Sequence, residues 1–181
     1  PDVSQANLKW LGAAFVGGVV FNIANILLVA AIEIAGMAVA FPVGIGLALA
    51  LGVATTYCAT GEGNLPMLAA GVAFVAAAIV LDALAYRRLG AAGGSVKCIG
   101  ISVLAGVLMG FFYSFVASSM AAALPDGSLE AGKLSPYTAT VVFSLGLFAS
   151  NFVFNTMMMK KPIAGAPVIA WEYCAGSLTN H

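Results

Sequence analysis

Five long apolar stretches, separated by short polar or glycine-rich breaks, dominate the chain. Each is long enough to cross a bilayer, which takes about 20 mainly apolar residues in an α-helix. The strict alternation of apolar and polar positions that marks a transmembrane barrel is absent. The pattern predicts an all-α integral membrane protein, a polytopic helix bundle with five transmembrane helices at residues 10–32, 36–57, 65–86, 97–123 and 136–159.

The breaks set the expected turns and the extent of the domain. Glu33 marks the first turn, and the later breaks fall at 60–66, 87–95 and 125–136. Residues 1–181 are interpreted as one transmembrane domain, in which 160–181 forms a loop or a re-entrant segment. Because the chain begins at Pro1 and stops in the polar stretch 177–181, we expect it to be a fragment of a longer protein.

Composition supports a lipid environment and limits the chemistry. Charged residues make up 8% of the chain and hydrophobic residues 62%, whereas soluble domains carry about 25% charged residues. The net charge is zero, so no basic surface for nucleic acid is expected. The cysteines Cys58, Cys98 and Cys174 form no CxxC pair, and no catalytic motif occurs. We expect no metal, no cofactor and no enzymatic activity.

Basic residues are distributed unevenly between the two ends of the predicted helices. Five of the seven lie on one side, at 87, 88, 97, 160 and 161, whereas Lys9 and Lys133 lie on the other. Basic residues are enriched on the cytoplasmic side of membrane proteins. The sequence therefore predicts a multi-pass protein of the inner or plasma membrane, with residue 1 and the 125–135 loop outside.

Four asparagines inside the spans are the main candidates for a substrate site, because polar groups at depth are unfavourable without a partner or water. Asn22 and Asn25 are three residues apart on one helical face, and Asn151 and Asn155 are four apart. One interpretation is interhelical hydrogen bonding that orients the bundle. The other is a polar cavity for a neutral solute, since a carboxamide both donates and accepts hydrogen bonds.

Two acids are candidates for proton coupling. Asp82 is the one acid well inside a predicted span, one turn before Arg87 and Arg88. A salt bridge to these arginines at the cytoplasmic interface is the leading interpretation, and proton coupling is the alternative. Glu33, at the first turn, is either solvated or paired, and it is kept as a second candidate for proton coupling.

Proline and small residues interrupt the apolar spans. The segment 41–46 (FPVGIG) breaks the second span, because proline removes a backbone hydrogen bond and kinks a helix. Broken helices build many transporter sites, so Phe41 and Pro42 join the candidate substrate site; a kink with a structural role alone is the equal alternative. Gly106 and Gly110 form a GxxxG motif that allows close packing of helices.

Short motifs in a consistent order resemble the ureide permease branch of the drug/metabolite transporter superfamily, which is related to bacterial glucose/ribose uptake proteins. The motifs are 17–20, Asn25, 34–36, 40–42, 106–114, 135–139, 159–165, Tyr173, Gly176 and 180–181. The resemblance implies about ten helices in two inverted repeats, of which this chain carries helices three to seven. It also implies that Asn25 and the 41–42 region line the path.

Two departures limit what the resemblance implies about substrate. Plant members of the family move allantoin, uracil and related ureides with protons, and carry a long central loop with a phosphate-binding motif. Here that loop is short and lacks the motif, which favours a bacterial type of member. Glu172 stands where the plant proteins have aspartate.

Taken together, these features predict a proton-coupled secondary transporter of a small neutral metabolite such as a ureide or nucleobase. A sugar permease of the same superfamily is the first alternative. A non-transporting membrane scaffold or subunit, whose asparagines only join helices, is the second. The expected partners are a small-molecule substrate and the lipid bilayer, and association into a homo-oligomer is left open.

Overall fold

The computed structural model describes residues 6–61, 63–88, 96–122, 130–161 and 163. These residues form five α-helices, and all five are long and apolar enough to cross a membrane. The predicted all-α class and the five spanning helices are therefore confirmed. The helices are α1 (Leu8–Ala35), α2 (Met37–Thr60), α3 (Leu65–Arg88), α4 (Val96–Ser119) and α5 (Pro136–Lys160).

Side-chain and glycine caps define several helix ends. Asn7 caps α1 by accepting a hydrogen bond from the Lys9 N–H, and Ser135 caps α5 by accepting one from the Thr138 N–H. Gly36 closes α1 with a φ of 81°, and Gly61 closes α2 with a φ of 67°. Since a left-handed backbone is unfavourable for side chains with a Cβ, glycine fits both turns.

The expected position of the first turn is wrong by three residues. Helix α1 continues past Glu33 to Ala35, and the chain reverses at Gly36 alone. The polar character of Glu33 suggested a turn, but the residue that permits the reversal is the glycine. The expected break at 41–46 is also wrong, because α2 remains helical through Pro42.

Helix α4 ends at Ser119, earlier than the predicted limit of 123. The Ser118 and Ser119 hydroxyls donate to backbone carbonyls one turn back, at Phe115 and Val116. Beyond this point the backbone pairs with another segment, as the Ala121 N–H donates to the Leu134 carbonyl over 2.8 Å. Pairing with a distant segment replaces the helical bonds that hydropathy alone would predict.

The helices pack in the order α3, α2, α4, α1, α5, and α1 also touches α2. Close backbone approach at glycines produces two of these interfaces. A Cβ added to Gly18 of α1 would meet the Phe143 backbone of α5, and one at Gly146 of α5 would meet the Phe15 backbone of α1. Small residues provide this kind of contact where no hydrophobic force drives association.

The GxxxG motif of α4 forms the second close interface, against α2. A Cβ at Gly106 would lie 2.6 Å from the Gly44 carbonyl oxygen, and one at Gly110 would lie 2.7 Å from Leu51 Cβ. Gly44 and Gly106 thus face each other. The glycines beside Pro42 therefore serve helix packing in this bundle.

An aromatic cluster fills the junction of α1, α4 and α5. The Phe21 ring lies 4.8 Å from Phe112 and 5.6 Å from Phe143, centroid to centroid, in edge-to-face geometry. Such pairs add about 0.5–1.5 kcal/mol beyond the area they bury. Around it the bundle is built largely from alanine and glycine, so large side chains mostly point outward.

Segments 119–122 and 130–135, here called the clasp, cover one end of the bundle. The Leu134 N–H donates to the Ser119 carbonyl, and the Asn7 N–H donates to the Gly132 carbonyl, both over 2.9 Å. The Leu134 side chain is fully buried against Ala14 and Ala139. The clasp thus ties α1, α4 and α5 together at what we call the clasp end; the opposite end, where Lys97 lies, is the basic end.

Candidate functional site

Asn22 lies at the midpoint of the 28-residue α1 and joins α1 to α5. Its Nδ2 donates to the Ser150 hydroxyl over 3.0 Å, and both side chains are buried, each 6% exposed. Ser150 in turn donates to the Leu147 carbonyl of its own helix. Asn22 therefore acts as a buried interhelical link through its Nδ2; among the described residues its Oδ1 makes no hydrogen bond.

Asn25 lies one turn further along α1 in a different environment. It is half-buried, and its Nδ2 donates to the Phe21 carbonyl over 3.0 Å. Within the described part of the chain, its Oδ1 makes no hydrogen bond. Its Cα lies about 15 Å from the basic end of α1. A carboxamide oxygen thus stands inside the membrane with its acceptor capacity unused.

The α5 asparagines extend this observation. Asn151 is half-buried and Asn155 is exposed, about 14 Å and about 8 Å from the basic end of α5. Neither side chain forms a hydrogen bond among the residues described here. The buried pair that the structure brings together is Asn22 with Ser150, so the two predicted asparagine pairs do not form one closed network.

Phe41 and Pro42 lie in the second turn of α2, at the basic end. Phe41 is 46% exposed and Pro42 is half-buried. Neither lines the groove described below, whose nearest lining residue on α2 is Ile45, three residues after Pro42. Their assignment to the substrate path stays a prediction.

The acids predicted for proton coupling are both exposed. Glu33 lies in the last turn of α1, and Asp82 lies on α3, six residues before its end at Arg88. Of the two arginines expected to pair with Asp82, Arg88 forms no ion pair with it among the described side chains, and the side chain of Arg87 lies outside the described ones. A role in proton coupling is therefore a prediction for both residues.

A groove of about 510 Å³ runs between α2 and α4, and the sequence patterns did not reveal it. Pockets of about 300–1,000 Å³ are typical of small-molecule sites. Most of the lining is apolar, and the polar groups are the hydroxyls of three residues. The lining residues are Ile45, Ala48, Leu49, Gly52, Val53, Thr56, Tyr57, Leu68, Met109, Gly110, Phe112 and Tyr113.

Sequence reasoning missed this groove for a specific reason. Thr56 and Tyr57 belong to no motif of the sequence, and Tyr113 lies in the 106–114 motif, which carries a family resemblance and no position relative to α2. Their shared location depends on how α2 crosses α4, which the Gly44–Gly106 contact sets. The sequence signal was the GxxxG motif, but it does not name the residues that flank the crossing.

A small cluster of charged groups lies at the clasp, beside the Trp10 ring. Lys133 Nζ lies 2.8 Å from Glu130 Oε2 and 5.2 Å from the centre of the Trp10 ring. The Ala122 N–H also donates to the Glu130 carboxylate over 3.3 Å. The Lys133 ammonium, followed by this backbone N–H, holds the pKa of Glu130 below its ordinary value.

Among the described residues, no three potential metal ligands lie close enough together to hold a metal ion. Cys98 is buried, and its Sγ donates a hydrogen bond to the Ala31 carbonyl oxygen over 3.4 Å. Cys174, Glu172, Tyr173 and most of the predicted 160–181 loop lie outside the described residues.

Comparison of the chain with protein-family models, curated proteins and solved structures found no match. The resemblance to ureide permeases stays a prediction.

Proposed function

We propose that the protein is a secondary transporter of a small, neutral, polar solute such as a ureide or nucleobase. The observation that carries the proposal is Asn25, a half-buried carboxamide deep in the membrane with an unused acceptor. An amide without any hydrogen bond costs about 2–7 kcal/mol in an apolar medium, and Asn25, whose Nδ2 is paired, would pay the part that belongs to its Oδ1. Water or a polar solute at this face would remove that penalty.

Asn151 and Asn155 support the same reading, because their side chains also lack hydrogen bonds within the described residues. Amides suit solutes that both donate and accept, as ureides and nucleobases do. In this proposal Glu33 and Asp82 are the candidate carboxyls for proton coupling, and the membrane is the inner or plasma membrane. A sugar is the alternative solute, since its hydroxyls also donate and accept.

The wider architecture is part of the proposal. A ten-helix arrangement of two inverted repeats would supply helices to cover the faces left open in this bundle. The apolar stretch of α3 has no buried residue within the described bundle, which leaves room for such neighbours. The solute site would lie between the repeats and open to each side in turn.

Paired substitutions of Asn25 and Asn22 test the proposal. A hydrogen bond contributes about 0.5–1.5 kcal/mol net, and an unsatisfied partner costs about 1–3 kcal/mol. At 1.4 kcal/mol per tenfold, Asn25→Ala should weaken solute affinity by about threefold to a hundredfold. Its melting temperature should hold, because water can replace the lost partner.

Asn22→Ala is the matched control on the same helix. It removes the link to Ser150, and buried hydrogen bonds between transmembrane helices average about 0.6 kcal/mol. It should therefore lower the melting temperature with little change in affinity. Affinity is measured by a thermal-shift titration with ureides, nucleobases and sugars on each purified variant.

The scaffold function is the second candidate, and the Asn22–Ser150 bond favours it, because that bond serves packing alone. If Asn25→Ala lowers the melting temperature and no solute of the three classes shifts the wild-type protein, the transport proposal fails and the scaffold interpretation is supported.

A further inference from the structure

The groove between α2 and α4 has its hydroxyls at one end and apolar side chains along the rest. Thr56 and Tyr57 lie within about 6 Å of the clasp end of α2, and Tyr113 lies about 9 Å below the end of α4. From Tyr57 the lining continues to Ile45, about 18 Å along the helix. No charged residue lines it.

These dimensions match one leaflet of a bilayer. The hydrocarbon core is about 30 Å thick, so one leaflet spans about 15 Å. Hydroxyl-bearing side chains at the groove's mouth would then lie near the headgroup level, where amphipathic tyrosine rings prefer to lie. The apolar remainder would lie beside the acyl chains of the same leaflet.

Gly52 keeps the floor of the groove open. It lies in the interior of α2, where glycine is about 1 kcal/mol less favourable than alanine. Gly44 and Gly46 of the same helix pack against neighbouring helices, but a Cβ at Gly52 would meet nothing within 4 Å. Its position in the groove lining is therefore not explained by contact with a neighbouring helix.

We propose that this groove binds one acyl chain of a phospholipid from the leaflet at the clasp end, with the ester region of the lipid beside Thr56, Tyr57 and Tyr113. Hydroxyls can donate to ester carbonyls, and dispersion contacts along Leu49, Val53 and Met109 hold the chain. This site is separate from the Asn25 face and does not depend on the transport proposal.

The apolar lining disfavours a polar solute as occupant. The three hydroxyls lie within about 9 Å of the clasp ends of α2 and α4. The deeper part of the groove therefore has no side chain that forms hydrogen bonds with an occupant. A compact polar solute there would lose its hydration without replacement. A flexible chain of methylenes has no such requirement.

Photocrosslinking with lipid tests the proposal directly. The protein is reconstituted in phosphatidylcholine vesicles that contain a small fraction of phosphatidylcholine with a diazirine near the end of one acyl chain. Adducts are mapped by tandem mass spectrometry. Leu49 and Met109 report the groove, and Phe74 of α3, at a similar depth and 77% exposed, reports ordinary lipid contact.

Gly52→Leu is designed to fill the groove, since a Cβ at this position would meet no protein atom within 4 Å. We expect labelling of Leu49 and Met109 to exceed that of Phe74 in the wild-type protein. In Gly52→Leu this ratio should fall about tenfold, equivalent to about 1.4 kcal/mol. Gly71→Leu on α3 is the matched control, since a Cβ there also meets nothing within 4 Å, and it should leave the ratio unchanged.

Several results would overturn the proposal. If Gly52→Leu leaves the labelling ratio of groove residues to Phe74 unchanged, or if Gly71→Leu lowers that ratio equally, the groove is not a specific lipid site. An unlabelled groove beside a labelled Phe74 shows that protein covers it. A wild-type ratio that falls when uracil, allantoin or glucose is added shows that a solute occupies it. Melting temperatures of all three proteins confirm that each is folded.

Discussion

Glu130 shows how a single carboxylate connects several elements at the clasp. Its Oε2 accepts from Lys133 and from the Ala122 N–H, while Lys133 also lies over Trp10. Since both donors favour the charged form, they lower the pKa of Glu130. The contribution to stability is therefore fully present above the ordinary carboxyl pKa of 4.5 and is lost as pH falls through the lowered value.

Glu130→Gln should therefore lower the melting temperature slightly at about pH 7, and the difference from wild type should shrink towards zero as the pH falls through the lowered pKa of Glu130. The measurement is thermal unfolding of both proteins across that range. Lys133→Gln should remove the same pH-dependent difference, because it deletes the principal partner. A Glu130→Gln difference that stays constant down to pH 2 would contradict this account.

The sequence predicts the depth of the asparagines in α1 but not their surroundings. The depth of Asn22 and Asn25 followed from the length of the apolar stretch around them. Their different environments did not, because the partner of Asn22 is Ser150, 128 residues away. Which asparagine reaches a partner on the other helix depends on how α1 and α5 cross. The spacing of residues along one helix carries no information about that crossing.

At the scale of elements, close approach of backbones decides which helices pack. Helix α1 uses Gly17 against α4 and Gly18 against α5, so both sides of one turn contact neighbours. An added Cβ at Gly18 would meet backbone atoms, which cannot rotate away as a flexible side chain can. The α1–α5 interface therefore tolerates no extra methyl group at this position.

Gly18→Ala should destabilise the protein by about 1–3 kcal/mol through overpacking. Gly12→Ala in the same helix is the control: a Cβ there meets nothing within 4 Å, so the change should be neutral or stabilising by up to about 1 kcal/mol. Reversible unfolding in detergent gives both values. Equal effects at the two positions would mean that the close α1–α5 contact is absent.

Helix positions were predictable from sequence because hydropathy and length determine them, and the observed bounds lie within a few residues of the predicted ones. The two differences between predicted and observed bounds have separate causes. The polarity of Glu33 indicated a turn at that residue, but the turn lies at Gly36, because glycine adopts the positive φ that the reversal needs. The end of α4 was overextended because pairing of Ala121 with Leu134 is a long-range contact.

At the scale of the whole molecule, the two ends of the bundle differ in charge. The clasp end carries Lys9, Lys133 and Glu130 in mutual proximity to Trp10. The basic end carries Arg88, Lys97 and Lys160, and Lys97 donates to the Ile163 carbonyl. Because basic residues are enriched on the cytoplasmic side of membrane proteins, a cytoplasmic basic end stays a prediction.

Cysteine labelling tests that orientation. In a protein with Cys98 and Cys174 replaced by serine, an impermeant maleimide added to intact cells should label Cys58, which is exposed near the clasp end. With Cys58 also replaced, Ala92→Cys should be labelled only after permeabilisation. Labelling of Ala92→Cys in intact cells would reverse the assignment.

Solute flux is the measurement that tests the central claim most directly. The purified full-length protein is reconstituted in liposomes loaded with an unlabelled ureide, nucleobase or sugar, and the matching radiolabelled solute is added outside. We expect transient accumulation of label with at least one class, and its reduction by Asn25→Ala but not by Asn22→Ala when equal amounts of folded protein are compared. Wild-type liposomes that accumulate no more label than protein-free liposomes, for all three classes, would contradict the claim.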